Sequence, residues 1–305
     1  MQLVKSTTPK KTKALHCLTL TILVLFSTAF NPAFSQDNSP YSRYGIGDLV
    51  PQSHLINRGM GGISAGYSDR LAINFSNPAS YSSFETAKEP KSRKLVAGRA
   101  ILDIGLDFES RSLHETSPPR KFVASNALFS YVQVGVPLKQ NWGMAFGLRP
   151  ISRISYKIIR NERLKDPHTG LPIDSSMPRF EGDGGTYLAS LGTGFSIFRK
   201  ERANKTMEEK LSVGINAGYL FGKKDYSTRR SLINDSVNYY QGNFETKTTY
   251  GSVYFNAGLQ YKVPLDTVDQ VSLTVGAFGN WGQKINASQD ILRETFLFDD
   301  NLGNI

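Results

Sequence analysis

The chain has 305 residues and a formal net charge of +10, from 36 Lys and Arg against 26 Asp and Glu. Part of this surplus lies within Lys5–Lys13, and later basic runs such as Arg199-Lys200-Glu201-Arg202 are mixed in sign, which indicates solvated turns rather than a nucleic-acid groove. There are 27 Gly, 14 Tyr and 18 Phe, and the mean hydropathy is -0.31. This composition is typical of a transmembrane β-barrel, in which only every second residue of a strand meets lipid.

The beginning of the chain has the pattern of an export signal. A basic stretch, Lys5–Lys13, precedes an apolar stretch, Ala14–Phe30, and Ala33-Phe34-Ser35 places small residues around a cleavage site. We therefore predict a signal peptide over residues 1–35, with a retained helical anchor as the weaker interpretation, and a location in the cell outer membrane of a Gram-negative bacterium. The single cysteine, Cys17, lies inside this peptide, so the mature chain is predicted to have no disulfide and no thiolate metal site.

Residues 36–92 form a Gly-rich, partly apolar segment that precedes the alternating part of the chain. Within it, Asn77-Pro78-Ala79 is predicted to form a rigid turn, because Pro78 fixes its own φ and holds Asn77 extended. The tripeptide alone favours a surface turn, but its position ahead of a barrel favours a hatch, or plug, inside the lumen. We expect the glycines of this segment to pack closely against the barrel wall. The candidate hatch or gating residues are Asn77, Pro78, Ala79, Gly61 and Gly62.

Residues 93–305 alternate between apolar and polar side chains, which predicts an all-β fold built as a transmembrane antiparallel β-barrel. In the first strand the even positions are apolar and the odd ones include Asp103 and Asp107. The second strand has apolar residues on both faces and is the weakest. The seven predicted strands are Val96–Phe108, Phe122–Val136, Trp142–Leu148, Tyr187–Ile197, Leu211–Phe221, Val253–Val263 and Val271–Trp281.

The connections between these strands alternate in length, as expected if short turns face the periplasm and long loops face outward. Pro137–Asn141 and Pro264–Asp266 are predicted periplasmic turns, whereas Asp166–Gly170 and Asn234–Ser236 belong to predicted outer loops. An exported β-sandwich would also alternate, but with strands of about 5–6 residues. Asn286–Ile305 breaks the alternation, so no eighth strand is predicted there, and we expect the chain to be the N-terminal part of a longer protein.

Several features of the chain resemble one family of membrane proteins. The leader, the N-terminal segment with Asn77-Pro78-Ala79 and the meander of strands with long loops resemble the FadL/TodX-type outer-membrane transporters of hydrophobic compounds. The opening Ser39-Pro40-Tyr41-Ser42-Arg43-Tyr44-Gly45-Ile46-Gly47-Asp48 and the later Gly147-Leu148-Arg149-Pro150 resemble the Bacteroidetes-type version of this family. The family pattern usually has Gly where this chain has Ser80. The resemblance implies a 14-stranded barrel, of which seven strands are half, with an N-terminal hatch in the lumen. It also implies passive uptake of long-chain fatty acids or other apolar molecules.

Pro150 marks a second candidate site, because a proline lacks the amide donor that strand pairing needs. The resemblance implies sideways release of ligand through a break in a strand, for which Gly147 and Pro150 are the candidates. The alternative is that Pro150 only ends the membrane-spanning part of its strand.

Three functions remain open, and a hatch-gated channel for hydrophobic molecules is favoured over a structural or secretion-system partner barrel and over a barrel enzyme such as a lipase. An apolar pocket between the hatch and the barrel wall would favour the channel. A polar, sealed lumen would favour the partner barrel, and a Ser–His pair at the membrane face would favour the enzyme. His54, His114 and His168 lie far apart, and we predict no catalytic residues, no cofactor and no metal site. The predicted partners are outer-membrane lipid, a hydrophobic small-molecule ligand and the barrel-assembly machinery, with no nucleic acid.

Overall fold

Most of the structure is one antiparallel β-sheet. The computed structural model describes residues 39–88, 95–96, 98–117, 119–202, 207–233, 239–266, 269, 271–299 and 303–304. The predicted signal peptide, residues 1–35, lies outside the described residues. The sheet confirms the predicted all-β fold class. No helix among the described residues is both long and apolar enough to cross a membrane.

The secondary structure consists of short helices in the first part of the chain and strands in the rest. The helices are a 3-10 helix Pro40–Arg43, the α-helix α1 Leu55–Gly59 and a 3-10 helix Pro78–Ser83. The strands are β1 Asp48–Leu49, β2 Ala87–Lys88, β3 Leu95–Val96, β4 Ile101–Thr116, β5 Pro119–Lys139, β6 Trp142–Ile159, β7 Glu162–Lys165, β8 Pro172–Arg202, β9 Met207–Ile233, β10 Gln241–Asp266, β11 Val271–Asn280, β12 Asn286–Phe296, β13 Phe298–Asp299 and β14 Gly303–Asn304.

Seven strands follow one another through the main sheet in the order β4-β5-β6-β8-β9-β10-β11, each antiparallel to the next. Two further strands lengthen this path, because β7 pairs with β8 beyond the end of β6, and β12 pairs with β10 beyond the end of β11. Between the pairs Asn256↔Asn280 and Gly251↔Asn286, residues 281–285 lie opposite residues 252–255 of β10, so the stretch between β11 and β12 has one residue more than β10. Within the described residues, no pairing joins β4 to β11 or β12, the two ends of the path.

The strands are much longer than predicted. β8 has 31 residues, which corresponds to roughly 100 Å at about 3.3 Å per residue, whereas the apolar core of a bilayer is about 30 Å thick. The predicted long outer loops are therefore mostly paired strand. Asn286–Phe296, where no eighth strand was predicted, is β12, which extends the seventh strand along β10. The predicted strand ends and loops were wrong because backbone pairing continues where both faces are polar, and the hydrophobic period of two disappears there.

The two faces of the sheet are inverted relative to those of a soluble protein. On one face, here called the outer face, large apolar side chains remain exposed, among them Phe108 at 81%, Ile197 at 62% and Val275 at 58%. An exposed apolar surface of this kind is rare on soluble monomers and is what strands in contact with lipid require. The opposite, inner face carries buried polar side chains. They include Gln133, Arg149, Ser152, Thr186, Lys210, Ser212, Asn216, Asn256 and Gln260.

Residues 39–88, here called the N-terminal segment, lie on the inner face. The 3-10 helix Pro78–Ser83 contacts β5, β6, β8, β9 and β10 together, so the sheet curves around it. A small apolar core lies between the segment and the sheet. It consists of Ile73, Phe75, Tyr81, Phe84, Ile101, Tyr131 and Ala145.

Candidate functional site

Asn77 anchors the N-terminal segment to the sheet. Its side chain is completely buried, and its Oδ1 accepts a hydrogen bond from the Ala79 N–H at 3.1 Å, which caps the 3-10 helix Pro78–Ser83. Its Nδ2 donates to the carbonyl oxygen of Ala65 at 2.7 Å and to that of Leu259 in β10 at 3.2 Å. A single amide group therefore joins two parts of the segment to the wall of the sheet.

Four glycines form a row across the sheet beneath this turn. Gly143 of β6 pairs with Gly194 of β8, Gly194 pairs with Gly214 of β9, and Gly214 pairs with Gly258 of β10. A Cβ atom at Gly214 would lie 2.6 Å from the Ala79 nitrogen, and a Cβ at each of the other three would also collide with the turn. The backbone of the segment can approach the sheet only because these positions have no side chain. We did not predict this row from the sequence.

Gly61 and Gly62 have a different role from the close packing that we expected. Both are exposed, and an added Cβ at either would meet nothing within 4 Å. Their φ angles are 73° and 85°, a region that favours glycine, and they follow the end of α1. They shape the turn after α1 and do not contact the wall closely; a role in gating stays a prediction.

Hydrogen bonds between polar groups hold the segment against the inner face. The Ser82 hydroxyl donates to the Ser212 hydroxyl at 2.9 Å, and the Lys210 ammonium donates to the Ser82 carbonyl oxygen, also at 2.9 Å. The Gln260 amide donates to the carbonyl oxygen of Ala65 at 2.9 Å. This part of the interface is therefore polar and specific in geometry, because the segment supplies a partner to each of these buried groups.

A cavity of about 350 Å³ lies where the segment meets the wall. Its lining is mainly polar and charged, and includes Arg70, Lys210 and Lys262. Arg199 and Glu208, which also line it, form an ion pair at 2.6 Å. This lining disfavours an apolar ligand, because such a ligand would leave the charged groups without water or partners.

Aromatic residues of the segment surround a buried cation of the wall. Arg149 is 6% exposed, and its guanidinium lies 4.6 Å from the centre of the Phe75 ring, a cation–π contact. Tyr81 is buried beside it. Burial raises the pKa of the Tyr81 phenol to about 12, although the charge of Arg149 and a hydrogen bond with Asn216 act in the opposite direction. The phenol is therefore neutral at physiological pH, and the Arg149 guanidinium contacts the Phe75 ring and forms a hydrogen bond with the Tyr254 side chain.

Two contacts with β4 hold the part of the N-terminal segment that contains α1. His54 Nε2 lies 2.7 Å from Asp103 Oδ2, and the Arg58 guanidinium lies 2.6 Å from Asp107 Oδ1. His54 Nδ1 accepts the Ile56 N–H at 3.1 Å, so both ring nitrogens of His54 are engaged and the side chain is not positioned as a general base. The acidic residues on the polar face of the first predicted strand thus bind the N-terminal segment.

The predicted strand break lies where β5 and β6 separate. These two strands pair from Lys139↔Trp142 to Val132↔Leu148, and no further pair between them follows in the part of the chain that the structure describes. β6 nevertheless keeps its pairing with β8 through Pro150↔Tyr187, with a shift of register immediately afterwards. Gly147 and Pro150 therefore flank the point of separation. A role for them in a lateral opening stays a prediction.

The profile of the BamG family matches residues 15–304, which is nearly the whole chain. The chain belongs to the BamG family. This is a barrel-assembly-machinery family, which associates the protein with the outer membrane of Gram-negative bacteria. No curated protein and no solved structure matches the chain.

Membership of the BamG family corrects the predicted relationship to FadL/TodX-type transporters, which is wrong. The features behind that resemblance were a leader, a rigid Asn-Pro-Ala turn and a meander of strands. Such features suit any exported β-sheet that binds its own N-terminal segment, because proline fixes φ in a buried turn and buried amides need hydrogen-bond partners. They therefore do not distinguish a transporter from an assembly protein. The 14-strand barrel and the hydrophobic ligand rested on the same resemblance.

Proposed function

We propose that this BamG-family chain is a membrane-embedded partner of the outer-membrane barrel-assembly machinery, and that it acts by binding other proteins rather than by transport or by chemistry of its own. The observation that carries the proposal is the family match over residues 15–304. The exposed apolar residues of the outer face support contact with outer-membrane lipid.

The contacts of the N-terminal segment support a partner barrel over a channel. The segment is held by the buried Asn77 amide, by the glycine row and by hydrogen bonds from Ser212, Lys210 and Gln260. Displacing it would break these hydrogen bonds, each of which contributes about 0.5–1.5 kcal/mol. The cavity at this interface is polar, as expected of a sealed lumen rather than of a pocket for an apolar ligand.

The proposal is tested by depleting the protein in its natural host and following newly made outer-membrane barrels by pulse labelling. We expect their folded forms, recognised by altered mobility in unheated gels, to form several-fold more slowly. Outer-membrane lipoproteins without a barrel serve as the control and should be unaffected. Restoring the full-length protein should restore the rate. Unchanged folding of all barrels, together with loss of uptake of an apolar compound, would overturn the proposal.

A further inference from the structure

β5 and β6 diverge and leave a cleft at the end of the sheet where β4 turns into β5, here called the outer end. The cleft has a volume of about 1140 Å³ and lies between the β4–β5 hairpin on one side and β6 with the start of β7 on the other. Pro40 of the N-terminal segment contributes to its lining. At the inner limit of the cleft, the Arg153 guanidinium donates to the carbonyl oxygen of Phe129 and so connects the two walls.

One wall of the cleft presents an unused strand edge. β5 pairs with β4 from Thr116↔Pro119 to Ile101↔Gly135, but with β6 only from Val132 onward. Between Pro119 and Tyr131, the described residues provide no strand partner on the side facing β6. This edge is roughly 40 Å long at about 3.3 Å per residue. Such an edge is a template for the addition of another strand.

The opposite wall shows that an extended segment can pair in this gap. β1 of the N-terminal segment occupies the edge of β6 that β5 leaves, with the pairs Asp48↔Arg153 and Leu49↔Ser152. The Val50 N–H also donates to the carbonyl oxygen of Ile151 at 3.0 Å. β1 thus forms backbone hydrogen bonds with the edge of β6 near the point of separation and leaves the edge of β5 uncovered.

The lining of the cleft suits a strand with one apolar and one polar face. Apolar side chains of Leu113, Phe122 and Ile159 line it, and Phe122 and Ile159 are each about half exposed. Charged side chains of Glu115, Arg120 and Arg160 line it as well. A lipid tail could cover the apolar residues, but it has no groups that could bond to the backbone edge of β5. An extended polypeptide can cover the apolar residues and also form hydrogen bonds with the backbone edge of β5.

We propose that the cleft between β5 and β6 binds an extended segment of a partner polypeptide, which adds as a strand to the free edge of β5. This inference rests on the proposed function, since a protein of the barrel-assembly machinery handles chains that pair as β-strands. The backbone of the partner supplies the hydrogen bonds, and an alternation of apolar and polar side chains in the partner matches the lining.

The test uses the purified full-length protein in detergent and a fluorescent ten-residue peptide of alternating Val and Thr. A matched peptide is N-methylated at two consecutive central residues, which keeps its side chains but removes backbone donors on both edges. We expect fluorescence anisotropy to report saturable binding of the first peptide and at least tenfold weaker binding of the second. Equal binding of the two peptides, or no binding of either, would overturn the proposal.

A second arm locates the site. A variant with Phe122→Cys and Ile159→Cys, joined by a bifunctional maleimide across the cleft, should lose at least tenfold in peptide affinity. Each single-cysteine variant, capped with a small maleimide, should bind like the parent. If bridging the cleft blocks a fluorescent fatty acid and leaves the peptide unaffected, the cleft is a lipid site and the inference fails.

The two proposals fail in distinguishable ways. Slower barrel folding on depletion, without peptide binding, would overturn the cleft inference and leave the proposed function intact. Peptide binding at the cleft, without any folding defect on depletion, would overturn the assembly role and leave a strand-binding site of another purpose.

Discussion

At the scale of single residues, Asn77 accounts for the placement of the N-terminal segment better than any other side chain. Its side-chain amide accepts one hydrogen bond and donates two, all with backbone groups, and one of these groups belongs to β10. The neighbouring Pro78 holds Asn77 in an extended conformation, with φ -119° and ψ 102°, so the side chain is pre-oriented for capping.

Replacement of this residue by Asn77→Ala should destabilise the protein by about 2–4 kcal/mol, because the carbonyl oxygens of Ala65 and Leu259 lose a buried donor. Urea unfolding followed by tryptophan fluorescence measures the change. Asn286→Ala, at an exposed position in β12, is the control and should lie within about 0.5 kcal/mol of the parent. Equal stability of the two variants would show that Asn77 does not anchor the segment.

At the scale of secondary-structure elements, the close contact between the turn at Pro78–Ser83 and the sheet depends on the row of Gly143, Gly194, Gly214 and Gly258. These residues come from four strands and meet only because the strand registers align them. The surrounding strands could accept larger side chains, but the segment above them could not.

Gly214→Val should displace the N-terminal segment from the inner face, because the added side chain would overlap the backbone at Pro78 and Ala79. We expect residues 39–88 to become cleavable by protease at least tenfold faster in the folded, detergent-solubilised protein. Gly279→Val is the matched control, since Gly279 lies in β11 with nothing within 4 Å of an added Cβ. Its cleavage rate should remain that of the parent. The same cleavage rate for both variants would show that the glycine row is not the surface against which the segment packs.

At the scale of the whole molecule, the sheet is apolar outside and polar inside. Its outer face exposes large apolar side chains at the level where the inner face binds the N-terminal segment. The long hairpins beyond this level carry polar residues on both faces, as expected of parts that extend into water.

Insertion into a bilayer tests this arrangement. Leu191 of β8 is 54% exposed on the outer face, and Leu191→Arg should cost about 2–4 kcal/mol of folding free energy in lipid vesicles if the residue lies near the bilayer midplane. Thr249→Arg, at an exposed position of β10 in its outer part, should cost less than about 1 kcal/mol. Folding into vesicles as a function of urea concentration measures both, and an equally small cost for the two would contradict a lipid-facing outer surface.

The amino-acid sequence by itself determined the fold class, the seven-strand path and the polar face that carries Asp103 and Asp107, because side chains alternate across a strand whatever its neighbours are. It also indicated the turn at Asn77, since proline and asparagine act on their own backbone. These are local effects. They required no knowledge of which strands lie side by side.

Only the tertiary structure decided the rest. The glycine row depends on the registers of four strands. The strands extend beyond their predicted ends by backbone pairing, which leaves no hydrophobic pattern in the sequence. The cleft forms because β5 separates from β6 at Leu148. The family resemblance was misleading for a related reason. The matching motifs shape the backbone of the N-terminal segment and of β6, whereas the partner of a membrane protein is selected by surfaces and strand edges that no short motif encodes.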